Sequence, residues 1–322
     1  MNLLILGGTA FVGRHLVEAA LSRGHAVTIF HRGKTNPQVF PEVEKLIGER
    51  DGDLAALGKR TWDAAIDTSA YLPRLVDKSA RALADRVGHY TFVSSVSVYK
   101  DFSHVGITEN APRAVIAEPL PEQITAGSYG AMKARCERAA ANYFPGRLLV
   151  VRPGIVVGPY DYTGRFDYWP QRVADGGTVL APGSASAPLQ IIDGRDLAAW
   201  MLSRVKAKEA GLFNATGPAQ SLTWGAFLEE CRSATRTDAT FAWVPDEALT
   251  AADVTGADLP LWVPQGADTR GFYAVSSARA EATGLVHRPL AGIVADVLAA
   301  PQGKAGLART REVELLRRFT GV

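Results

Sequence analysis

Cysteine is scarce in this sequence, with only Cys136 and Cys231 among 322 residues. The two lie far apart, in segments with helical patterning, so they predict neither a disulfide framework nor a zinc site. The six histidines are scattered, and none is paired with another at the spacing of metal ligands. We therefore expect no bound metal.

Long apolar runs and net charge are also lacking. No stretch approaches the length that a membrane-spanning helix needs. The apolar start has no basic leader and is broken by Gly7 and Gly8, so it does not resemble a signal peptide. These absences predict a cytoplasmic protein without membrane contact. The formal charge of +2 is too small to indicate a nucleic-acid partner.

The composition is that of a globular enzyme, with 47% hydrophobic and 21% charged residues. Buried-type strands alternate with amphipathic helices over residues 1–159 and again over about 189–216. This order predicts an α/β fold with a Rossmann-type, doubly wound parallel sheet that binds a dinucleotide. At this length, we expect residues of about 160–188 and 217–322 to form a smaller C-terminal α/β lobe that binds the substrate.

The start of the chain is a candidate nucleotide-binding turn. Leu3 to Leu6 predict a buried strand, a helical pattern follows from Arg14, and a glycine-rich turn joins them. A helix that opens after such a turn offers free N–H groups and partial positive charge to a pyrophosphate. We assign to the cofactor Gly7, Thr9, Ala10, Phe11, Val12 and Gly13. The alternative is a tight turn without a nucleotide.

A basic segment follows the second predicted strand, Ala26 to Phe30. His31 stands where an NAD-preferring site usually has an acid, and Arg32 and Lys34 lie beside it. Because basic side chains suit the 2′-phosphate of NADP, the sequence favours NADP over NAD. A solvated basic loop is the alternative.

The ends of the next predicted strands supply further candidates, since parallel strands present their carboxyl ends at one edge of the sheet. Glu49 and Arg50 follow the third strand, near the expected adenine. Small residues follow the fourth strand, where the middle of the cofactor would pass. We assign to the cofactor Thr68, Ser69 and Ala70, and to the substrate Tyr71. The long segment 100–127, rich in Pro, Glu and Ala, predicts a loop that covers the site.

Tyr129 and Lys133 are candidate catalytic residues because they are four apart on a predicted helix and share a face. An adjacent ammonium should lower the tyrosine pKa towards working pH, so that its hydroxyl can exchange a proton with a substrate oxygen. Ser95, after the fifth strand, can hydrogen-bond the same oxygen, and Ser97 can contact the substrate. The alternatives are a solvated helix face for the pair and strand-end capping for the serines.

Aromatic residues are concentrated after Pro159. Tyr160 and Trp169 in this stretch, and Trp262 later in the chain, could stack on a planar or sugar ring of the substrate. The alternative is that these rings form the core of the smaller lobe.

Several motifs together resemble the extended short-chain dehydrogenase/reductase superfamily, in its NAD-dependent epimerase/dehydratase group. The motifs are Leu6-Gly-Gly-Thr-Ala-Phe-Val-Gly13, Val93-Ser-Ser-Val-Ser-Val-Tyr99, Tyr129-x-x-x-Lys133, Arg152-Pro-Gly-Ile-Val-Val-Gly-Pro159 and Ile191-Ile-Asp-Gly-Arg-Asp-Leu197. The resemblance implies that Tyr129 is the acid/base, that Lys133 tunes it and holds the nicotinamide ribose, and that Ser95 positions the substrate. We add to the expected cofactor contacts Pro153, Ile155 and Val156.

The resemblance implies an NAD(P)-dependent oxidoreductase or epimerase that acts on a secondary alcohol or ketone, with a sugar or nucleotide sugar as one substrate class and a homodimer as the assembly. Ile155 stands where nucleotide-sugar enzymes often have Asn, which weakens that substrate class. Val96-Ser97 replaces the Asp-Glu pair of 4,6-dehydratases. The Gly-Gly-Thr-x-Phe-x-Gly turn also resembles that of bacterial epimerase-like proteins and plant chloroplast RNA-associated proteins. Together with a basic tail that contains Arg309, Arg311, Arg317 and Arg318, this resemblance gives a second hypothesis, a cofactor-sensing or RNA-associated binding protein.

Overall fold

The structure, a computed structural model, describes residues 1–218, 222–299 and 303–321. Its strands are β1 (Asn2–Leu6), β2 (Ala26–His31), β3 (Glu44–Ile47), β4 (Trp62–Asp67), β5 (Val87–Val93), β6 (Leu148–Pro153), β7 (Ile155–Val157), β8 (Thr178–Pro182), β9 (Pro188–Leu189), β10 (Ile191–Asp193), β11 (Gly211–Ala215), β12 (Leu222–Thr223) and β13 (Thr240–Val244). Its helices are α1 (Phe11–Ser22), α2 (Pro73–Leu83), α3 (Ala126–Ala141), α4 (Tyr168–Ala174), α5 (Gly194–Lys206), α6 (Trp224–Thr235), α7 (Asp246–Thr250), α8 (Ala278–Ala282), α9 (Leu290–Ala299) and α10 (Arg309–Thr320). Short 3-10 helices span Ala55–Leu57 and Val96–Val98.

The central sheet has seven parallel strands in the order β11-β6-β5-β4-β1-β2-β3. The chain proceeds from β1 towards one edge through β2 and β3, and then returns to β4 on the other side of β1. This reversal leaves a crevice at the carboxyl ends of β1 and β4, where ligands bind in doubly wound sheets. The structure thus confirms the predicted Rossmann-type α/β fold.

Alternating side chains of β1 enter two cores. Leu3 and Ile5 pack with residues of α1 and α5 on one face of the sheet. Leu4 and Leu6 pack with residues of α2 and α3 on the other face. A strand covered by helices on both faces needs apolar residues at every position, which explains the continuous run at the start of the sequence. Each such buried side chain stabilises the fold by about 1.5–3 kcal/mol.

Two helices begin earlier than the apolar pattern predicted. Helix α1 begins at Phe11, inside the glycine-rich turn, and no side chain caps its first turn. Helix α3 begins at Ala126 after a reciprocal cap between Thr125 and Ser128. Helical periodicity marks the buried face of a helix, so the small or polar first turn of α3 gives no such signal. The start of α1 overlaps the glycine-rich turn, which the pattern separates from the helix.

A third apolar core lies in the C-terminal half and is built around α4, α6, α9 and α10, with the parallel pair β8 and β13. Strand β7 pairs with β10, and β9 with β12. The predicted division of the chain into two domains stays a prediction. Within the described ranges, no helix is long and apolar enough to cross a membrane.

The long segment between β5 and α3 has two different parts. Its first part is fixed to the fold: the Asn214 N–H donates to Glu109 Oε1 at 2.9 Å, and the Ala114 N–H donates to the Val98 carbonyl at 2.7 Å. The second part is exposed, beginning with Val115 at 89% exposure. The structure therefore shows the predicted long connection as an anchored stretch followed by a surface loop.

Candidate active site

A cavity of about 1000 Å³ lies at the carboxyl ends of β1, β2 and β4. Most of the residues predicted to bind the cofactor or the substrate from these strand ends line it. They are Gly7, Thr9, Ala10, Phe11, Val12, Gly13, His31, Arg32, Lys34, Glu49, Arg50, Thr68, Ser69, Tyr71 and Tyr160. One concave surface therefore brings together candidates that are spread over almost half of the sequence.

The glycine-rich turn is closed by close backbone contacts. Gly7 has a φ of +108°, and a Cβ added there would lie 2.3 Å from Thr68 Oγ1. A Cβ at Gly13 would lie 2.6 Å from the backbone nitrogen of Gly8. The turn thus needs glycine at both positions. It leads directly into the uncapped first turn of α1, whose N–H groups and dipole suit an anion. These residues fit the pyrophosphate of a dinucleotide.

The basic segment after β2 lies at the opposite end of the cavity wall. Arg32 and Lys34 are exposed, whereas His31 is buried. His31 Nδ1 accepts from the Gly33 N–H at 3.3 Å, and its buried Nε2 has no hydrogen-bond partner among the described residues. Burial, followed by the charge of Lys45, lowers the His31 pKa. A neutral ring with one free nitrogen, next to two exposed cations, fits a ribose with an attached phosphate.

Arg50 lies in the cavity wall, but its guanidinium is turned towards the protein interior. Its two terminal nitrogens each donate to an oxygen of Asp67 at 2.7 Å, and one also donates to Ser79 at 2.6 Å. Asp67 further accepts from the Tyr90 hydroxyl at 2.8 Å. Because these bonds hold the guanidinium inside the fold, the Arg50 side chain stabilises the end of β4. Arg50 still lines the cavity, and its contact with a cofactor stays a prediction.

Tyr129 projects from α3 beside the cavity, behind Tyr71, and the two ring centroids are 6.3 Å apart. Burial raises the Tyr129 pKa, while Ser95 and the charge of Arg165 lower it by less. Lys133 is not among the main causes of the shift. The expected lowering of this pKa by Lys133 is therefore wrong for this structure, because burial dominates and the ammonium is engaged elsewhere.

Lys133 is 3% exposed and occupies the space between two strand ends. Its Nζ donates to the Ala70 carbonyl at 2.9 Å and to the Val93 carbonyl at 2.6 Å, and it lies 4.5 Å from the centre of the Phe92 ring. Burial lowers the Lys133 pKa to about 8. Ala70, one of the predicted cofactor contacts, is itself buried and serves here as an acceptor for Lys133.

Ser95 and Ser97 lie at the carboxyl end of β5, next to α3. The Ser95 hydroxyl accepts from the Ser97 N–H at 3.1 Å and donates to the Ser97 hydroxyl at 3.1 Å. Ser95 thus caps the 3-10 helix Val96–Val98. Ser95 also lowers the Tyr129 pKa, so capping is compatible with the predicted role of this serine beside the phenol.

The predicted aromatic contacts divide into two groups. Tyr160 lines the cavity, and the Arg14 guanidinium lies over its ring at 3.5 Å from the centroid. Trp169 is 0% exposed and donates its ring N–H to the Pro260 carbonyl at 2.7 Å. Trp262 is also buried in the C-terminal core and donates to Asp246 at 2.8 Å. The prediction that Trp169 and Trp262 stack on a substrate is therefore wrong, because both rings pack inside the protein.

Pro153, Ile155 and Val156 do not line the cavity. Pro153 ends β6 opposite Ala215 of β11, and the other two lie in β7 opposite Ile191 and Ile192 of β10. Their contact with a cofactor stays a prediction. The structure adds cavity residues that the sequence analysis did not assign to the site, among them Arg14, Glu122, Gln123, Ile124 and Tyr162. Only the length of the covering segment hinted at the three residues 122–124.

Three comparisons relate the chain to known proteins. Residues 3–71 match the model of the NAD dependent epimerase/dehydratase family. The chloroplast stem-loop binding protein of 41 kDa b of Arabidopsis thaliana is 24% identical over 259 residues, which cover 72% of this chain and 63% of that protein. A 3 beta-hydroxysteroid dehydrogenase/Delta 5-->4-isomerase of Mycobacterium tuberculosis is 28% identical over 115 residues, covering 35% of this chain and 30% of that protein. The chain thus spans less than two thirds of these relatives.

Solved structures share the whole fold at low identity. A UDP-glucose 4-epimerase has a TM-score of 0.71 at 15% identity, covering 94% of this chain and 99% of that one. The human epimerase family protein SDR39U1, solved with NADPH, has a TM-score of 0.64 at 22% identity, covering 93% and 100%. The Bordetella bronchiseptica enzyme WbmH, solved with NAD+, has a TM-score of 0.68 at 16% identity, covering 92% and 97%. The chain thus matches this family model over residues 3–71 and shares its fold with these solved structures along most of its length.

Proposed function

We propose that the protein is an NAD(P)-dependent oxidoreductase or epimerase that acts on a secondary alcohol or its ketone. The observation that carries this proposal is that one cavity is lined both by the glycine turn at the uncapped start of α1 and by Tyr71, whose ring centroid lies 6.3 Å from that of Tyr129. A candidate proton-transferring phenol then lies next to the wall of the cavity that contains the anion-binding turn. Sugars and nucleotide sugars are secondary alcohols of this kind, and the similar UDP-glucose 4-epimerase takes one as its substrate.

A bound nicotinamide dinucleotide would accept or donate the hydride. The glycine turn would hold its pyrophosphate, and the wall formed by Thr68, Ser69 and Tyr71 would line its middle. Tyr129 would exchange a proton with the substrate oxygen, and Ser95 would hold that oxygen in place by a second hydrogen bond. Lys133 positions these groups, since its ammonium ties the loop after β4 to the end of β5 directly beneath them.

NADP is the cofactor that the cavity favours. His31 has a free buried nitrogen, and Arg32 and Lys34 add two exposed positive charges where an acid would be needed to bind the ribose of NAD. Replacing both cations, in the variant Arg32→Ser with Lys34→Ser, should weaken NADPH binding by about tenfold or more and leave NADH binding nearly unchanged. Equal losses for both cofactors would overturn the preference.

Replacement of Tyr129 by Phe tests the reaction itself. The variant removes one hydroxyl from a ring that does not line the cofactor cavity, so NADPH affinity, measured by fluorescence titration, should stay within about twofold. Turnover of any secondary alcohol or ketone that the native protein accepts should fall by about 10²-fold or more, the usual loss for a positioned proton donor.

Tyr143→Phe is the matched control, because Tyr143 directly follows α3 and its hydroxyl is bonded to Asp77 and Arg81 at the far end of that helix. It should keep full turnover. Undiminished turnover in Tyr129→Phe would overturn the mechanism, and native protein that binds neither NADPH nor NADH would overturn the enzymatic function.

A second candidate is a cofactor-sensing or RNA-associated binding protein, which the similarity to the chloroplast stem-loop binding protein favours. In this structure, two of the arginines of the basic tail are neutralised on α10: Arg309 pairs with Glu312, and Arg311 with Glu314. RNA affinity that falls steeply between low and moderate salt would support this candidate. No binding at low salt would remove it.

A further inference from the structure

Arg14 is a cation of the cavity wall to which the proposed reaction gives no role. It directly follows Gly13, and its N–H donates to the Ala10 carbonyl at 3.2 Å, which closes the first turn of α1. Its side chain lines the cavity and is 26% exposed. Because α1 is the helix whose start fits a pyrophosphate, Arg14 lies at the end of the cavity where phosphate groups are expected.

Side chains from three segments hold the Arg14 guanidinium. The Tyr160 ring, in the loop after β7, has its centroid 3.5 Å from Arg14 Cζ. The centroid of the Phe40 ring, between β2 and β3, is 5.9 Å from the same atom. Glu18, one turn further along α1, accepts from Arg14 Nε at 3.1 Å. A guanidinium that packs on a ring and is bonded through Nε has a defined orientation before any ligand binds.

The loop that carries Tyr160 is itself fixed against α1. His15 Nε2 donates to the Pro159 carbonyl at 2.9 Å, and the ring centroids of His15 and Tyr160 are 5.3 Å apart. Tyr160 has a φ of +69°, a left-handed conformation that bulky residues seldom adopt. Such strain persists where surrounding contacts maintain it, and it is concentrated at ligand sites. The fold thus keeps Tyr160 in an unfavourable backbone conformation that places its ring against Arg14.

The outer edge of the Arg14 guanidinium is available to a ligand. Within the part of the chain that the structure describes, neither of its Nη atoms donates to an acceptor. Glu18, the partner of Nε, is 36% exposed, and the first turn of α1 contains no acidic side chain. The guanidinium and the positive end of the helix dipole therefore lie together at the cavity, an arrangement that a bound anion stabilises.

We propose that Arg14 binds a phosphate group of the dinucleotide, either the pyrophosphate or the 2′-phosphate of NADP. The planar fork of a guanidinium pairs with two phosphate oxygens at once, so it orients the cofactor as well as adding affinity. Tyr160 is then a positioning residue, since its ring holds the guanidinium in place. This inference rests on the proposed function and adds a phosphate-binding side chain to its cofactor site.

The test compares NADPH and NADH affinities, measured by fluorescence titration, in native protein and in Arg14→Gln. Glutamine removes the charge and the fork but remains a good helix former. NADPH affinity should fall by about tenfold or more. An equal loss for NADH identifies the pyrophosphate, which both cofactors contain, whereas a loss confined to NADPH identifies the 2′-phosphate. NADPH affinity within about twofold of native would overturn the proposal.

Two further variants test the fork and its support, and circular dichroism without cofactor verifies the fold of each. Arg14→Lys keeps the charge without the fork, so it should lose part of the NADPH affinity, and native affinity would contradict the paired contact. Tyr160→Ala leaves Arg14 in place but frees its side chain, which must then be ordered on binding, so NADPH affinity should fall by about threefold or more. Native affinity in Tyr160→Ala would contradict the positioning role, and this variant also tests the proposal if Arg14→Gln does not fold.

Arg232→Gln is the matched control, because Arg232 is an exposed arginine of α6 that pairs with Glu229 of the same helix. It should change neither affinity. The outcome is separable from that of the proposed function. Native protein that binds neither NADPH nor NADH would overturn both, whereas native binding that Arg14→Gln leaves unchanged would overturn this inference alone.

Discussion

Replacement of Gly13 by alanine should damage both the stability and the cofactor affinity of the protein. The added methyl group would lie 2.6 Å from the nitrogen and 2.9 Å from the Cα of Gly8, and 3.2 Å from Thr68 Oγ1. The first two atoms belong to the backbone, so they cannot rotate away as a side chain could. The turn between β1 and α1 must therefore open.

Overpacking of this kind destabilises a protein by about 1–3 kcal/mol. The same displacement moves the N–H groups at the start of α1 away from the pyrophosphate, so NADPH affinity should fall by about tenfold or more, equivalent to 1.4 kcal/mol or more. Urea unfolding measures the first effect, and fluorescence titration with NADPH measures the second.

Gly292→Ala is the matched control. Gly292 lies in α9, no atom lies within 4 Å of its added Cβ, and alanine favours a helix by up to about 1 kcal/mol. This variant should be as stable as the native protein or more so, with unchanged NADPH affinity. If Gly13→Ala behaves like Gly292→Ala in both assays, the turn is not the pyrophosphate site and is less tightly packed than the contacts indicate.

Two further predictions concern buried charges. Lys133 has a pKa of about 8 in the folded protein and about 10.4 in the unfolded chain. Between these pH values the unfolded chain binds more protons, so the free energy of unfolding rises with pH, by up to about 3 kcal/mol. Urea unfolding of the native protein and of Lys133→Met from pH 7 to 10 should show this rise as a difference between the two proteins, and parallel profiles would contradict it. Glu137→Gln leaves the buried Arg152 charge without its carboxylate partner and should lower the free energy of unfolding by about 3–5 kcal/mol. Replacement of the exposed Glu314 by Gln should change it by less than about 0.5 kcal/mol. Similar unfolding midpoints for the two variants would refute the argument.

The order and type of the elements in the central sheet could be predicted from the sequence because local patterns specify them. The strands of the sheet coincide with segments rich in apolar or β-branched residues, except that β3 begins with Glu44 and Lys45. The limits of the elements differ from those of the apolar patterns, by one residue at the start of β1 and by three at the start of α1. Those ends depend on capping bonds and on backbone geometry, as at Phe11, which sequence periodicity does not report.

The site was predictable where strand ends converge and unpredictable where side chains make long-range contacts. The spacing of Tyr129 and Lys133 places both on α3, but it does not reveal that the ammonium bonds to carbonyls of Ala70 and Val93 from two different strand ends. Likewise, the position of Arg50 after β3 does not reveal that Asp67 of β4 binds its guanidinium. Charge and spacing locate such groups, whereas their partners depend on tertiary packing.

The divided connection between β5 and α3 has a consequence for protein engineering. Glu109 and Ala114 fasten its first part to β11 and to the 3-10 helix Val96–Val98, so changes there would disturb the whole fold. Residues 115–124 lie beyond these fastenings, and residues 122–124 reach the cavity. Replacing residues 115–124 by the corresponding segment of a relative should therefore change which molecules bind in the cavity while leaving the melting temperature nearly constant.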